Sequence, residues 1–182
     1  MGVLVKTLSI SKKVSKYSEV LRLMKTAFPS NEQMPIWLLK LLAWQRGVNF
    51  NAYYEECCLC GISYTVENKT MVFVFYLAVN DSIRSKGYGS RILQYVKEHT
   101  GGKNIVLNVE AIKPNVPNIE QRKNRIRFYQ KNGIEDTGYT FADGGEVYSV
   151  LSSDPAHFQP KEYERLLKKF SLGLYRKKIS AQ

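Results

Sequence analysis

The residues best suited to chemistry lie together in Arg84-Ser85-Lys86-Gly87-Tyr88-Gly89-Ser90. The two glycines carry no Cβ and let an anion approach the backbone closely, while Arg84 and Lys86 bring positive charge to the same place. If a helix starts here, its first amides have no intrahelical partner, and the helix dipole adds partial positive charge. Such an end binds phosphate. The turn is not a nucleotide P-loop, because no Gly-Lys-Ser/Thr ending follows. Nor is it a Rossmann fingerprint, which needs a third glycine and an acidic residue about twenty positions on. A Gly-rich turn with no ligand is the alternative reading.

The flanking residues supply the change of element that the turn requires. Met71 to Val79 is an apolar run rich in Val and Phe, too short to cross a bilayer and suited to a strand buried on both faces. Beyond the turn, Tyr88, Ile92, Leu93 and Val96 recur at helical spacing. Gly101-Gly102 then leads to a strand over Asn104 to Ala111. This strand-helix-strand unit predicts a parallel pair joined by a right-handed crossover.

Upstream, Val3 to Ser9 reads as a first strand, and Val14 to Phe28 as a helix that stops before Pro29. After a loop, Pro35 opens a second helix to Trp44 that is apolar nearly all round and is expected to pack on two sides or line a pocket. Phe50 to Glu56, Cys58 to Val66 and Met71 to Val79 predict an antiparallel meander. Downstream come a helix from Asn118 to Asn132 stopped by Gly133, a hairpin of Ile134 to Phe141 with Glu146 to Leu151 around Asp143-Gly144-Gly145, and a last helix from Pro160. The fold class expected is α/β (α+β), a single central mixed, mostly antiparallel sheet flanked by helices. Residues 1–182 are expected to form one domain.

Composition narrows the partners. A chain of 182 residues with 44% hydrophobic and 12% aromatic residues buries a core rather than staying disordered. No basic segment followed by a long apolar run opens the chain, so neither a signal peptide nor a membrane span is expected, and the expected location is cytoplasmic. Met1-Gly2 is no myristoylation signal, since Lys6 stands where Ser or Thr is wanted. Cys57, Cys58 and Cys60 have no histidine near them in sequence, so they are expected to be buried free thiols and no metal is expected. The net charge of +11 suits an anionic partner. Many of the cations fall in two groups, Arg122 to Lys131 on one helix and Lys168 to Lys178 near the C-terminus, the second read as a solvated helix face and tail.

Taken together, the strand ending Leu77-Ala78-Val79, the turn Arg84-Ser85-Lys86-Gly87-Tyr88-Gly89, and the helix carrying Phe128-Tyr129-Gln130-Lys131-Asn132-Gly133 about forty residues on resemble the GNAT superfamily of acetyl-CoA-dependent N-acetyltransferases. The resemblance covers about residues 71–141 and implies the family's acyl-CoA N-acyltransferase fold with two splayed parallel strands. It implies that the amides of Lys86, Gly87, Tyr88, Gly89 and Ser90, with Arg84 and Ser85, hold the cofactor's pyrophosphate. Leu77, Ala78 and Val79 would pair with its pantetheine arm and polarise the thioester carbonyl. Tyr129 matches the family's tyrosine that protonates the departing sulfur. Glu110 and Glu32 are the candidates for the base that takes the proton of the acceptor amine.

The sequence departs from the family pattern on that helix, where Arg122 and Arg125 replace the commoner Asn and Ala, and at Ile134, where Phe is usual. Asn124 or the arginines are then expected to reach the cofactor's phosphates. The acceptor is an amine of open identity, and the assembly a monomer or homodimer. A binding module for acyl-CoA, nucleic acid or the ribosome that has kept the fold is a second reading, disfavoured by the intact Gly87, Gly89 and Tyr129 set. An enzyme with a longer acyl donor is a third.

Overall fold

The computed structural model describes residues 6–9, 17–30, 32–83, 86–114, 116–143, 145–172 and 179–181. In chain order the elements are β1 (Lys6–Ser9), α1 (Tyr17–Ala27), α2 (Ile36–Leu42), β2 (Val48–Glu55), β3 (Cys58–Glu67), β4 (Met71–Val79), α3 (Tyr88–Glu98), β5 (Asn104–Glu110), α4 (Ile119–Lys131), β6 (Glu135–Asp143), β7 (Glu146–Ser152), α5 (Pro160–Phe170) and β8 (Ser180–Ala181). The architecture is mixed α/β, with mostly antiparallel strands and helices flanking them. The helix and strand assignments made from periodicity hold, with ends moved by one to three residues. Val3 to Val5, Val14, Arg84, Ser85, Asn115, Gly144, and Arg176 to Lys178 lie outside the described residues.

The chain divides into two compact units, one made of the residues up to Val66 plus Val74–Gly101, the other of Glu67–Phe73 plus the residues from Gly102 onward. In the first unit the strands run β1-β2-β3-β4. β1 to β3 form an antiparallel meander in which Leu8 faces Ala52 and Ala52 faces Ile62 in register. A bulge at Tyr53/Tyr54 shifts the β2–β3 register near its turn. The core here is aromatic: Phe50, Tyr53 and Tyr64 are fully buried with Leu39, Ile62, Ile92 and Leu93. Buried phenols need partners. Tyr64 donates to the carbonyl of Leu39 at 2.9 Å, fastening α2 to β3, and the Tyr53 and Ser63 hydroxyls pair at 2.8 Å.

In this unit α2 does not pack on two sides, and the expectation of buried cysteines fails for two of the three. Helix α2 packs on one side only, through Leu39 and Leu42, while Trp37, Leu41 and Trp44 stand in a stripe that is 65%, 57% and 85% exposed. At 100° per residue, positions 37 and 41 share one face, and Trp44 follows in the turn after the helix, so uniform apolarity misreported the helix's burial. Among the cysteines only Cys60 is buried. Cys57 lies in the β2–β3 turn and Cys58 at the strand's first position, and both are exposed. Inward-facing strand positions bury a thiol; a turn does not.

In the second unit, Met71–Phe73 opens β4 beside β5, and the strand order continues β5-β7-β6-β8. The Asn104 amide donates to the Thr70 carbonyl at 3.0 Å, so β4 and β5 start level, as parallel strands do. β7 pairs antiparallel with both β5 and β6. β8, a two-residue strand that periodicity did not reveal, pairs with Tyr139 and Thr140 of β6. Ile105, Leu107, Ile134, Leu151 and Tyr163 fill this core, and the Tyr163 hydroxyl donates to Asn108 Oδ1 at 2.9 Å. Ile134 is fully buried, so the core accepts it where Phe is the family's commoner choice.

Candidate active site

In the first unit the phosphate-type turn is assembled from β3, β4 and α3. Asn80 closes β4: its amide donates to the Cys60 carbonyl and its side-chain Nδ2 to that of Leu59, both at 2.9 Å, while its Oδ1 accepts from the Ser82 amide at 3.2 Å. That Asx turn breaks the strand and sends the chain into the 3₁₀ turn Asp81–Ile83. Because N–H groups alternate along a strand, the Asn80 bond to β3 fixes the direction of its neighbours. The Leu77 and Val79 amides point to the opposite edge of β4, away from β3. On that strand Leu77 and Val79 are half-buried and Ala78 is buried.

Gly87 caps α3 with φ +79°, a left-handed conformation that favours glycine, and no side chain caps the helix. The helix ladder begins with the Arg91 amide on the Gly87 carbonyl at 3.1 Å, which leaves the amides of Tyr88, Gly89 and Ser90 without intrahelical partners. The first turn carries no acidic residue. Lys86 is exposed, and its charge acts on the Glu55 carboxylate. A Cβ built on Gly87 would meet nothing within 4 Å, so the turn is open on its outer side. Bare amides, a dipole's positive end, a lysine and open space fit a diphosphate.

Glu55 and Gly61, which sequence reading passed over, hold this turn in place. Glu55, at the end of β2, accepts a short hydrogen bond from the Tyr88 hydroxyl and two at 3.2 Å from the Arg91 guanidinium, which also lies 4.9 Å over the Tyr88 ring. Donation by Tyr88 first, then Arg91, holds the Glu55 carboxyl below its ordinary range. Gly61 of β3 lies directly against Ala78 and Ile92. A glycine inside a strand pattern signals close approach, and that was the available clue.

Glu32 is half-buried in the loop before α2. Tyr76 of β4 anchors that loop, donating to the Glu32 carbonyl at 2.6 Å and accepting from the Met34 amide at 3.0 Å. Burial, with the Glu32 charge adding, pushes the Tyr76 phenol above its ordinary value.

In the second unit, Tyr129 is 8% exposed on α4, and burial pushes its phenol up to about 12, with Arg125 acting in the other direction. Gly133 stops the helix at φ +67°. The Gly133 amide then reaches Gln130 at 2.9 Å and the Ile134 amide reaches Tyr129 at 3.0 Å, the double closure of a Schellman end. The last turn, with Tyr129 on it, is therefore closed by two backbone bonds.

The structure also joins Glu110 to the two arginines. Glu110, buried at the end of β5, accepts from Arg125 Nη1 at 2.5 Å and from Asn118 Nδ2 at 3.2 Å, with Arg122 Nη2 at 3.6 Å. Arg122 is only 5% exposed and donates to Asn118 Oδ1 and the Ala111 carbonyl at 2.9 Å and to Glu146 at 3.2 Å. Its donors are committed to acceptors within the protein. Asn124 is exposed, its Oδ1 accepting from Arg127 at 3.0 Å. A charge-rich helix segment gives no sign from sequence alone that one of its arginines faces inward.

Among the described residues no group of three or more His, Cys, Asp or Glu forms a metal set, and no helix is long and apolar enough to cross a membrane. No curated protein sequence matches the chain. Solved structures do share its fold. A protein assigned to the GNAT acetyltransferases in Bacteroides thetaiotaomicron superposes with a TM-score of 0.67 at 22% identity, covering 93% of this chain and 99% of that one. The aminoglycoside 6'-N-acetyltransferase of Enterococcus faecium gives 0.60 at 13%, covering 82% and 95%. A GNAT acetyltransferase from Elizabethkingia anophelis with acetyl-CoA bound gives 0.56 at 14%, covering 82% and 95%. The model of the acetyltransferase (GNAT) family matches residues 17–134, well over half of the chain. With the bare glycine-capped helix following the apolar strand, that match settles membership: this chain belongs to the GNAT acetyltransferase family.

Proposed function

We propose that this protein is an N-acetyltransferase that moves the acetyl group of acetyl-CoA to a primary amine by direct attack. The observation that carries the reading is the N-terminus of α3: Gly87 in the left-handed region, no side-chain cap, no acidic residue in the first turn, and Lys86 beside it. The amides of Lys86 to Ser90 would hold the pyrophosphate, joined by Arg84 and Ser85 and, from α4, by Asn124. Solved relatives bound to coenzyme A or acetyl-CoA support this choice of cosubstrate.

The Leu77 and Val79 amides, aimed away from β3, with Ala78 between them, would pair with the pantetheine arm and donate to the thioester carbonyl oxygen as negative charge builds on it. The amine nitrogen bonds to the carbonyl carbon and the carbon–sulfur bond breaks. Tyr129 gives its proton to the departing sulfur, and its raised pKa keeps it protonated until then. Glu32 is the assigned acceptor for the amine's proton, because its loop is anchored by Tyr76. Glu110, the other candidate base, has its oxygens already engaged by Arg125 and Asn118.

A panel of amines incubated with acetyl-CoA, with free thiol followed over time, tests the reading. Thiol release that saturates with one amine class establishes the reaction and begins to name the acceptor. Absence of release with every amine, together with RNA binding that falls steeply with salt, would replace the enzyme with a binding module.

A further inference from the structure

Glu110 is enclosed by donors, and one of them, Arg125, shares a helix face with Tyr129. Arg125 lies one helical turn before Tyr129 on α4, so the two side chains share a face. A long, one-third exposed arginine samples many rotamers unless it is held. Its 2.5 Å bond to Glu110 holds it, and Asn118 donates to the other carboxylate oxygen. Asn118 is braced in turn by Arg122, which reaches Glu146 on β7 and the Ala111 carbonyl. Three elements thus converge to fix one guanidinium.

Resting on the reading of Tyr129 as proton donor, we propose that Glu110 and Arg125 are positioning residues for that phenol: Glu110 locks the Arg125 guanidinium so that positive charge stands ready when the phenol gives up its proton. In that step the Tyr129 O–H bond breaks, an S–H bond forms on the departing thiolate, and negative charge moves to the phenol oxygen. Burial alone would oppose that charge. Arg125 offsets the penalty, and its effect on the phenol already has that sign in the resting protein. The phenolate then recovers its proton from the ammonium product or from water. Arg125 is the charged group that acts on the phenol, and it is tied through Glu110 of β5 to Arg122 of α4, Glu146 of β7 and Lys113, which pairs with Glu146 at 3.6 Å. The family's commoner Asn and Ala at positions 122 and 125 could not build this cluster.

Protein made with 3-fluorotyrosine, whose phenol is more acidic, allows titration by fluorine NMR without cofactor, the Tyr129 resonance being identified by its loss in Tyr129→Phe. Arg125→Met should move that resonance's titration upward and lower kcat about tenfold, less than the hundredfold or more that a proton donor itself contributes. Arg125→Lys should restore most of both, and Glu110→Gln, which frees the guanidinium from its place, should lower kcat as Arg125→Met does. Acetyl-CoA affinity should stay level throughout. An unmoved resonance in Arg125→Met, with turnover lost in Tyr129→Phe, overturns the positioning pair and leaves the donor role standing. Intact turnover in Tyr129→Phe overturns the donor role itself, whatever the resonance does. Arg125 is partly exposed, so its variants fold even if Glu110→Gln does not.

Discussion

Gly61 and Ala78 touch backbone to backbone: a Cβ at position 61 would fall 2.4 Å from the Ala78 carbonyl oxygen, and 2.6 Å from Ile92 Cδ1. Real Cβ atoms do not approach so closely. The missing side chain on β3 therefore sets how near β4 and α3 come to it, and with that the place of the amides that follow Ala78.

Replacing Gly61 with alanine should destabilise the protein by about 1–3 kcal/mol, the usual cost of overpacking. The tip of Ile92 can swing aside, but the Ala78 carbonyl belongs to a paired strand. Urea unfolding measures the cost, and acetyl-CoA affinity should fall with it, because the displaced strand carries the Leu77 and Val79 amides. A variant with wild-type stability would show that β4 yields freely.

Gly87→Ala separates strain from crowding. Nothing stands within 4 Å of the added methyl group, so the cost comes from φ +79° alone, about 1–2 kcal/mol for a left-handed residue with a Cβ. Calorimetry should show that modest loss, while acetyl-CoA binding weakens more than stability does as the cap relaxes out of the left-handed region. Equal binding would argue that the turn holds no phosphate.

The Glu55 carboxyl titrates below its ordinary range, so its contribution to stability is present above the unfolded value, about 4.3, and is lost as pH falls through the lower folded value. Glu55→Gln should therefore melt earlier than wild type near neutral pH, and the two melting curves should converge in acid. A constant gap across that range would mean that the Tyr88 and Arg91 contacts do not favour the ionised carboxylate.

Tyr129→Phe should lower turnover by about a hundredfold or more while leaving acetyl-CoA affinity nearly intact, since the hydroxyl is needed only as sulfur departs. Binding by calorimetry beside steady-state kinetics makes the comparison. Undiminished kcat would remove Tyr129 from the chemistry.

Much of this was legible in the residues. The run from Met71 to Val79 is so uniformly apolar that only a buried strand suits it, and its bounds were read to the residue. The glycines at 87 and 133 announced a helix start and a helix stop, because few other residues adopt those angles. What escaped were properties set by distant partners. Arg122 looks like any surface cation until Glu110 and Glu146 close around it. Glu55 gives no hint of Tyr88, which follows 33 positions later. Nor can hydropathy tell that Trp37 and Trp44 face outward, since periodicity marks a face only where polar residues outline it.

Among the described residues, strand β8 pairs with β6 at Tyr139 and Thr140. The rest of that margin is guarded by Glu135, Asp136 and Asp143 and by the irregular register between Asp136 and Tyr139. Unsatisfied strand margins recruit other chains into growing sheets, and negative charge with a local kink is a standing defence. Removing the Ser180–Ala181 pairing should make self-association sensitive to concentration and to acid. The short β8 pairing thus bears on how the sheet keeps to itself rather than on chemistry.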